Sequence, residues 1–173
     1  MAKAVKKAVA KKASPVKKIT KKIAKKAAPK KGALEKSETG IKYSDKSGDQ
    51  PELIPIFDEI KKLMLPYAKG NIKVRGGTGG QMVLVSEKPV EINGKMRDEY
   101  WFGAIIVQRG YVGFYFMPVR DAAEQKEVFK PELLKCLKGK SCFHIKKDDA
   151  EIFKQIKEAL AKGHAKCKEK GWI

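Results

Sequence analysis

The chain has 173 residues, with 39 Lys and Arg against 20 Asp and Glu and a formal net charge of +19, which allows one domain of ordinary size plus a tail. It contains no apolar run long enough to cross a membrane as a helix, and its basic N-terminus lacks the apolar core of a secretory signal. Three cysteines, an odd number, make no disulfide framework, so reduced thiols and a cytoplasmic location are expected.

Residues 1–34 carry thirteen lysines and no acid, about two thirds of the net charge on a fifth of the chain. All but Lys3 fall in doublets: Lys6 and Lys7, Lys11 and Lys12, Lys17 and Lys18, Lys21 and Lys22, Lys25 and Lys26, Lys30 and Lys31. The residues between them are small or β-branched, with no aromatic and too little apolar mass to bury, so this arm is expected to be disordered in isolation. A transit peptide would favour Arg and Ser; the arm has no Arg and one Ser. Lysines that meet phosphates release condensed counterions, so the composition points to DNA or another polyanion, bound without reading sequence. The absence of an Arg fork argues against base-specific readout. The arm resembles the lysine-rich tails of linker histones and bacterial histone-like proteins, and Ser14-Pro15-Val16-Lys17 matches their S-P-x-K pattern. A solubility tail, a nuclear localisation signal and a membrane-surface helix are the competing readings. For the last, Val16, Ile19, Ile23 and Ala27 form a weak stripe without the Trp, Phe or Leu such helices carry.

Residues 35–50, rich in Ser, Gly and Asp with mixed charge, read as a linker to a domain over 51–173. Leu53, Ile56, Phe57, Ile60, Leu63 and Met64 share one helical face, opened by Pro51 and stopped by Pro66 and Gly70. Residues 72–75 form a short strand. The loop from Arg75 to Gln81 holds four glycines, and it reads as a hairpin loop more readily than as a phosphate cradle, since no Gly-Lys-Ser/Thr ending follows. Residues 82–86 and 90–92 are strands, with Asn93-Gly94 a turn. Residues 100–119, YWFGAIIVQRGYVGFYFMPV, are the centre of the domain: a β-hairpin turning at Gln108-Arg109-Gly110. Neither face of its second strand is polar, so helices should cover one side and a partner, a ligand or more chain the other. Tyr111, Tyr115 and Met117 mark that second side as a candidate ligand or self-association face. A helix over 131–137 follows, then a strand over 141–146 with Cys142 and His144 on one face. The last helix is capped by Asp148, with Glu151 reaching back. It buries Ala150, Phe153, Ile156, Leu160 and Gly163, and Trp172 pins the terminus. The order predicts an α+β domain, a mostly antiparallel sheet packed by N- and C-terminal helices and preceded by the basic arm.

Chemistry-bearing residues are sparse. Cys142, His144, His164 and Cys167 are candidate metal ligands, but the close Cys pairs typical of zinc sites are absent, and buried core thiols are the plainer reading. No metal or cofactor is expected. No nucleophile motif or paired-carboxylate pattern supports an enzyme. Lys138, Lys140, Lys146 and Lys147 flank the 141–146 strand, where they either extend the basic surface or blunt a sheet edge.

The segment YVGFYFMPV (111–119), the segment LKGKSCFHIKK (137–147) and the closing Gly171-Trp172-Ile173 together resemble the YdhG-like family, a bacterial domain of unknown function. The resemblance covers about 51–173. It implies a compact cytoplasmic α+β domain, and for some members a frataxin-like iron-chaperone role has been suggested. It offers no catalytic set to carry over. The chain departs from the family in the glycine loop and in the long basic arm, and its basic surplus opposes the acidic patch an iron site would want. The expected function is non-enzymatic, sequence-independent DNA binding through the arm, with the domain as anchor or self-association module. The alternative is a small-molecule or metal-binding domain that the arm merely localises.

Overall fold

The structure, a computed structural model, describes residues 43–173. The lysine arm and residues 35–42 lie outside the described residues. The domain is α+β, built on a six-stranded sheet in the order β1 (Ile72–Gly76), β2 (Gln81–Ser86), β5 (Tyr100–Gln108), β6 (Tyr111–Phe116), β8 (Cys142–Ile145), β7 (Leu137–Lys138), with every neighbouring pair antiparallel.

A single turn, Pro51–Leu53, leads into α1, Ile54–Met64. Its apolar positions recur every three or four residues, so Leu53, Ile56, Phe57, Ile60 and Met64 are buried together. Pro66 falls in a further short turn, Leu65–Tyr67, where the helix stops. Strand β1, Ile72–Gly76, pairs with β2, Gln81–Ser86, whose six residues are all buried. A separate ribbon follows: β3, Val90–Ile92, and β4, Lys95–Arg97. Its two-residue turn has Asn93 at φ 52° and Gly94 at φ 72°, the left-handed pair that matches the twist of a hairpin.

The central hairpin is β5, Tyr100–Gln108, and β6, Tyr111–Phe116, closed by Arg109 and Gly110. Phe102, Ile105, Val107, Val112, Phe114 and Phe116 face the helices and are almost wholly buried. Burying a side chain of this size contributes about 1.5–3 kcal/mol. The register of β2 against β5 shifts between Leu84 and Val85, a bulge that passes over Phe102.

Beyond β6, α2 (Ala122–Val128) is capped by Asp121, whose carboxylate accepts from the Ala123 and Glu124 amides. Helix α3 is shorter than the sequence suggests, Pro131–Lys135, because Leu137–Lys138 forms strand β7 against β8, Cys142–Ile145. Helix α4, Ala150–Glu169, closes the fold. Its cap is Asp149 rather than Asp148, accepting from the Glu151 amide at 2.9 Å and the Ile152 amide at 3.3 Å. Glu151 does not reach back; it accepts from the Gln155 side chain at 2.9 Å. The Gln155 carbonyl in turn accepts from the Leu133 amide at the start of α3. The buried stripe of α4 is Gln155, Ile156, Ala159, Leu160, Gly163 and Cys167; Ala150, expected in that stripe, is exposed and Phe153 is half-buried.

Within the segment expected as a linker, 35–50, residues 43–50 bond to the domain. The Tyr43 hydroxyl donates to the Val107 carbonyl at 3.0 Å, with the Gly80 carbonyl at 3.2 Å. Lys46 reaches the Gln108 side chain at 2.7 Å, and Gln50 accepts from the Gly110 amide. One aromatic residue and a few amides anchor a segment whose overall composition is that of a spacer.

Candidate functional site

The two faces of the sheet differ. Toward the helices lies the main core. On the other face Val83, Val85 and Ala104 are buried, with Trp101 and Tyr115 packed against them. Tyr111 stacks on His144 at 3.8 Å between ring centroids and 13° between planes. Tyr115 lies over Gly113, where a Cβ would meet its ring at 2.9 Å. Burial, and then Cys142 beside it, pushes the Tyr115 hydroxyl up to about 12. The candidate face of Tyr111, Tyr115 and Met117 is therefore only partly assembled. The two tyrosines share it and are half-buried, whereas Met117, past the end of β6, packs against the main core. Among the described residues the exposed large apolar side chains are Leu65, Val74 and Met96, none of them one of the three residues of that face.

The four candidate metal ligands do not converge. Cys142 and His144 sit on β8 facing the tyrosines. His164, on α4, packs against the Tyr67 and Phe102 rings on the helical side of the sheet, where Cys167 lies 3.9 Å from the Tyr100 hydroxyl. Burial pushes the Cys167 thiol up to about 11 and holds both histidines below their ordinary value. Among the described residues no three His, Cys, Asp or Glu form a group that could hold a metal.

The glycine loop is used structurally. Gly77 donates to the Gln81 carbonyl at 2.7 Å, and its own carbonyl accepts from Lys61. Gly80, at φ 71°, sits so close to Val107, Ser47 and Tyr43 that a Cβ would lie 3.0–3.1 Å from all three. The loop is thus the seat on which residues 43–47 dock. Lys138 and Lys140 lie at the β7 edge and Lys146 and Lys147 past β8, exposed, at the end of the sheet they were expected to border.

A further concavity lies elsewhere. The β3–β4 ribbon, the start of β5 and the C-terminal segment enclose a groove of about 810 Å³. Its floor is Tyr100, 6 % exposed, with the Trp172 ring tilted against it at 5.0 Å between centroids and 50° between planes. Trp172 is fixed through its backbone: its carbonyl accepts from Ser86 at 3.0 Å and its amide donates to Cys167 at 2.9 Å. On the wall, the Trp101 indole N–H donates to Glu99 at 3.1 Å. The other Glu99 oxygen takes Arg75 at 2.7 Å, so Trp101 first and then Arg75 hold this carboxyl below the usual range. Lys95, Arg97 and Arg120 also line the groove; they are exposed and form no salt bridge among the described residues. No expectation from the sequence fell on this site as a whole; its members come from three segments, 92–101, 117–120 and Trp172.

Comparisons with known protein families, with curated proteins and with solved structures find no match. Among the described residues no helix is long and apolar enough to cross a membrane.

Proposed function

We propose that the protein is a non-enzymatic, sequence-independent nucleic-acid-binding protein that engages a polyanion through residues 1–34, with the α+β domain as its folded anchor. One observation carries this reading: thirteen lysines and no acid in 34 residues. Residues 43–173 add only a mild surplus, 24 Lys and Arg against 18 acids, and several of these are tied up in ion pairs. The likeness of 111–119 and 137–147 to the YdhG-like family supports a cytoplasmic setting and belongs to the same proposal.

The test keeps the chain whole. Replacing the twelve doublet lysines by Gln removes the charge without shortening the protein. The unaltered chain should bind duplex DNA with log K falling against log salt at a slope approaching about −10, while the variant should lose roughly a hundredfold or more in affinity near physiological salt. Equal affinity and equal slope in the two proteins would reject the proposal.

A further inference from the structure

The groove beside β5 combines two features that separately mean little. Lys95, Arg97 and Arg120 bring three positive charges to its rim with no carboxylate of their own. Glu99, one of the two acids in the lining, is already engaged by Trp101 and Arg75. Asp98 is the one other acid in the lining, so the groove keeps a cationic surplus. Trp101, Tyr100 and Trp172 give the lining its aromatic part, with Trp172 tilted against Tyr100. Met96, 69 % exposed on the ribbon, is the most exposed large apolar side chain among the described residues, and it lines the same groove.

A purely apolar ligand would leave a net two positive charges unanswered once Asp98 is set against Lys95, Arg97 and Arg120. An aromatic monocarboxylate would answer one. A dianionic phosphate carried on a planar ring matches both the charge and the walls, since guanidinium groups grip phosphate by paired N–H donors and bases stack on indole faces and thioethers. At about 810 Å³ the groove falls in the size range of ordinary small-molecule sites, roughly 300–1,000 Å³.

We propose that this groove is a nucleotide-binding site, with the phosphate held by Arg97 and Arg120 and the base placed against Trp101 and Met96. Asn93 at the turn is positioned to offer amide hydrogen bonds to a base edge. The same chemistry has two sources, a free mononucleotide or one unit of a single strand. The inference does not rest on the arm, because every group it uses lies in 43–173.

The chain contains two tryptophans and both line the groove, so intrinsic fluorescence reports on its occupancy. Adenosine monophosphate titrated into the full chain should quench that fluorescence saturably, with a dissociation constant between about 10 μM and 1 mM. Adenosine without phosphate should bind at least about tenfold more weakly. Arg97→Glu combined with Arg120→Glu should weaken the nucleotide by roughly a hundredfold. Both side chains are exposed and form no salt bridge among the described residues, so an unchanged urea unfolding curve is expected for that variant. Repeating the titration in the arm-neutralised chain separates this proposal from the previous one, because quenching there is expected to be intact whether or not the arm binds DNA. In that background, competition by a short oligothymidylate identifies a strand as the source, and its failure identifies the free nucleotide. A fluorescence that does not change, adenosine binding as tightly as its monophosphate, or a charge-reversed variant that binds normally would each overturn the site.

Discussion

Gly163 sets the distance between α4 and the sheet, and substituting it pits two opposing effects of known size against each other. In a helix interior, Gly→Ala gains about 1 kcal/mol from propensity alone. Here the new Cβ would fall 2.2 Å from Cζ and 2.8 Å from Cε1 of Phe116, and 3.2 Å from Cβ of Pro118. Carbon atoms rest at about 3.5–4.0 Å, so the helix or the ring must move by more than about 1 Å. The ring has nowhere to go: Phe116 is 0 % exposed and meets Phe102, Phe114 and Phe129 at centroid distances of 5.7, 5.7 and 5.9 Å. Lifting α4 instead would loosen Ile156, Leu160 and Cys167, all fully buried. Overpacking of this kind costs about 1–3 kcal/mol, and a clash this short belongs at the upper end. The net expectation for Gly163→Ala is a loss of about 2 kcal/mol, read by urea denaturation followed by tryptophan fluorescence, with a Tm fall of roughly 6–10 °C. Phe116→Leu removes the obstructing ring edge. The double variant should therefore be less damaged than the sum of the singles, by at least about 1 kcal/mol of coupling. A neutral or stabilised Gly163→Ala would refute the close approach of α4 to β6.

The remaining expectations address the docked segment, the histidines and the thiols. Tyr43→Phe should cost about 0.5–1.5 kcal/mol through loss of the hydroxyl's bonds to Val107 and Gly80. It should also speed tryptic cleavage after Lys46, whose amine is held by Gln108. Gly80→Ala should expose the same site more strongly, being both at positive φ and crowded by Tyr43 and Ser47. His144 and His164 are each held below their ordinary value, by burial first and then by nearby lysines. The unfolded chain then binds protons that the folded chain refuses, so stability is fully present above the unfolded value, about 6.5, and falls as pH drops below it. Replacing both histidines by Gln should flatten unfolding free energy between about pH 7 and 5, leaving the carboxylate-driven loss at lower pH. The three thiols are all pushed up by burial. Iodoacetamide at neutral pH should therefore modify Cys136 and Cys142 slowly and Cys167 only on unfolding, as mass mapping would show.

Elements that bury a regular apolar face were legible in the sequence, and short elements that bury little, α2, β4 and β7, were not. Helix α1 announced itself through Leu53, Ile56, Phe57, Ile60, Leu63 and Met64, of which Leu63 is half-buried and the other five are buried. The β5–β6 hairpin and the alternation of Cys142, Phe143, His144 and Ile145 were legible for the same reason. Strand β4 has three exposed residues, so no apolar alternation marks it. Strand β7 is two residues long and exists only because β8 presents an unpaired edge. The N-cap of α4 fell one residue later than expected because Asp148 and Asp149 are chemically equivalent there and backbone geometry chose between them. Residues 43–50 were invisible as structure because a hydroxyl and a few amides, not apolar mass, hold them. The groove depends on Arg97, Trp101, Arg120 and Trp172 meeting across the fold, and no local spacing encodes that.

Arm and groove are both cationic, yet salt should separate them. Each arm lysine that meets a phosphate on a duplex displaces a condensed counterion, so raising salt from about 50 to 200 mM weakens a contact of six to ten phosphates by roughly 10³–10⁵. A mononucleotide carries no condensed atmosphere. Its charges meet Arg97 and Arg120 at one spot, where only ordinary screening over a Debye length of about 8–10 Å applies. Groove binding should therefore change little over the same salt range, being fixed by bidentate hydrogen bonds and stacking. The position of Tyr43 also decides how the two should be dissected. Cutting the chain at residue 51 would strip Tyr43, Lys46 and Gln50 from the β1–β2 and β5–β6 turns and perturb the domain itself. Removing charge within 1–34 leaves those bonds in place, so any loss of polyanion binding in that variant belongs to the arm alone.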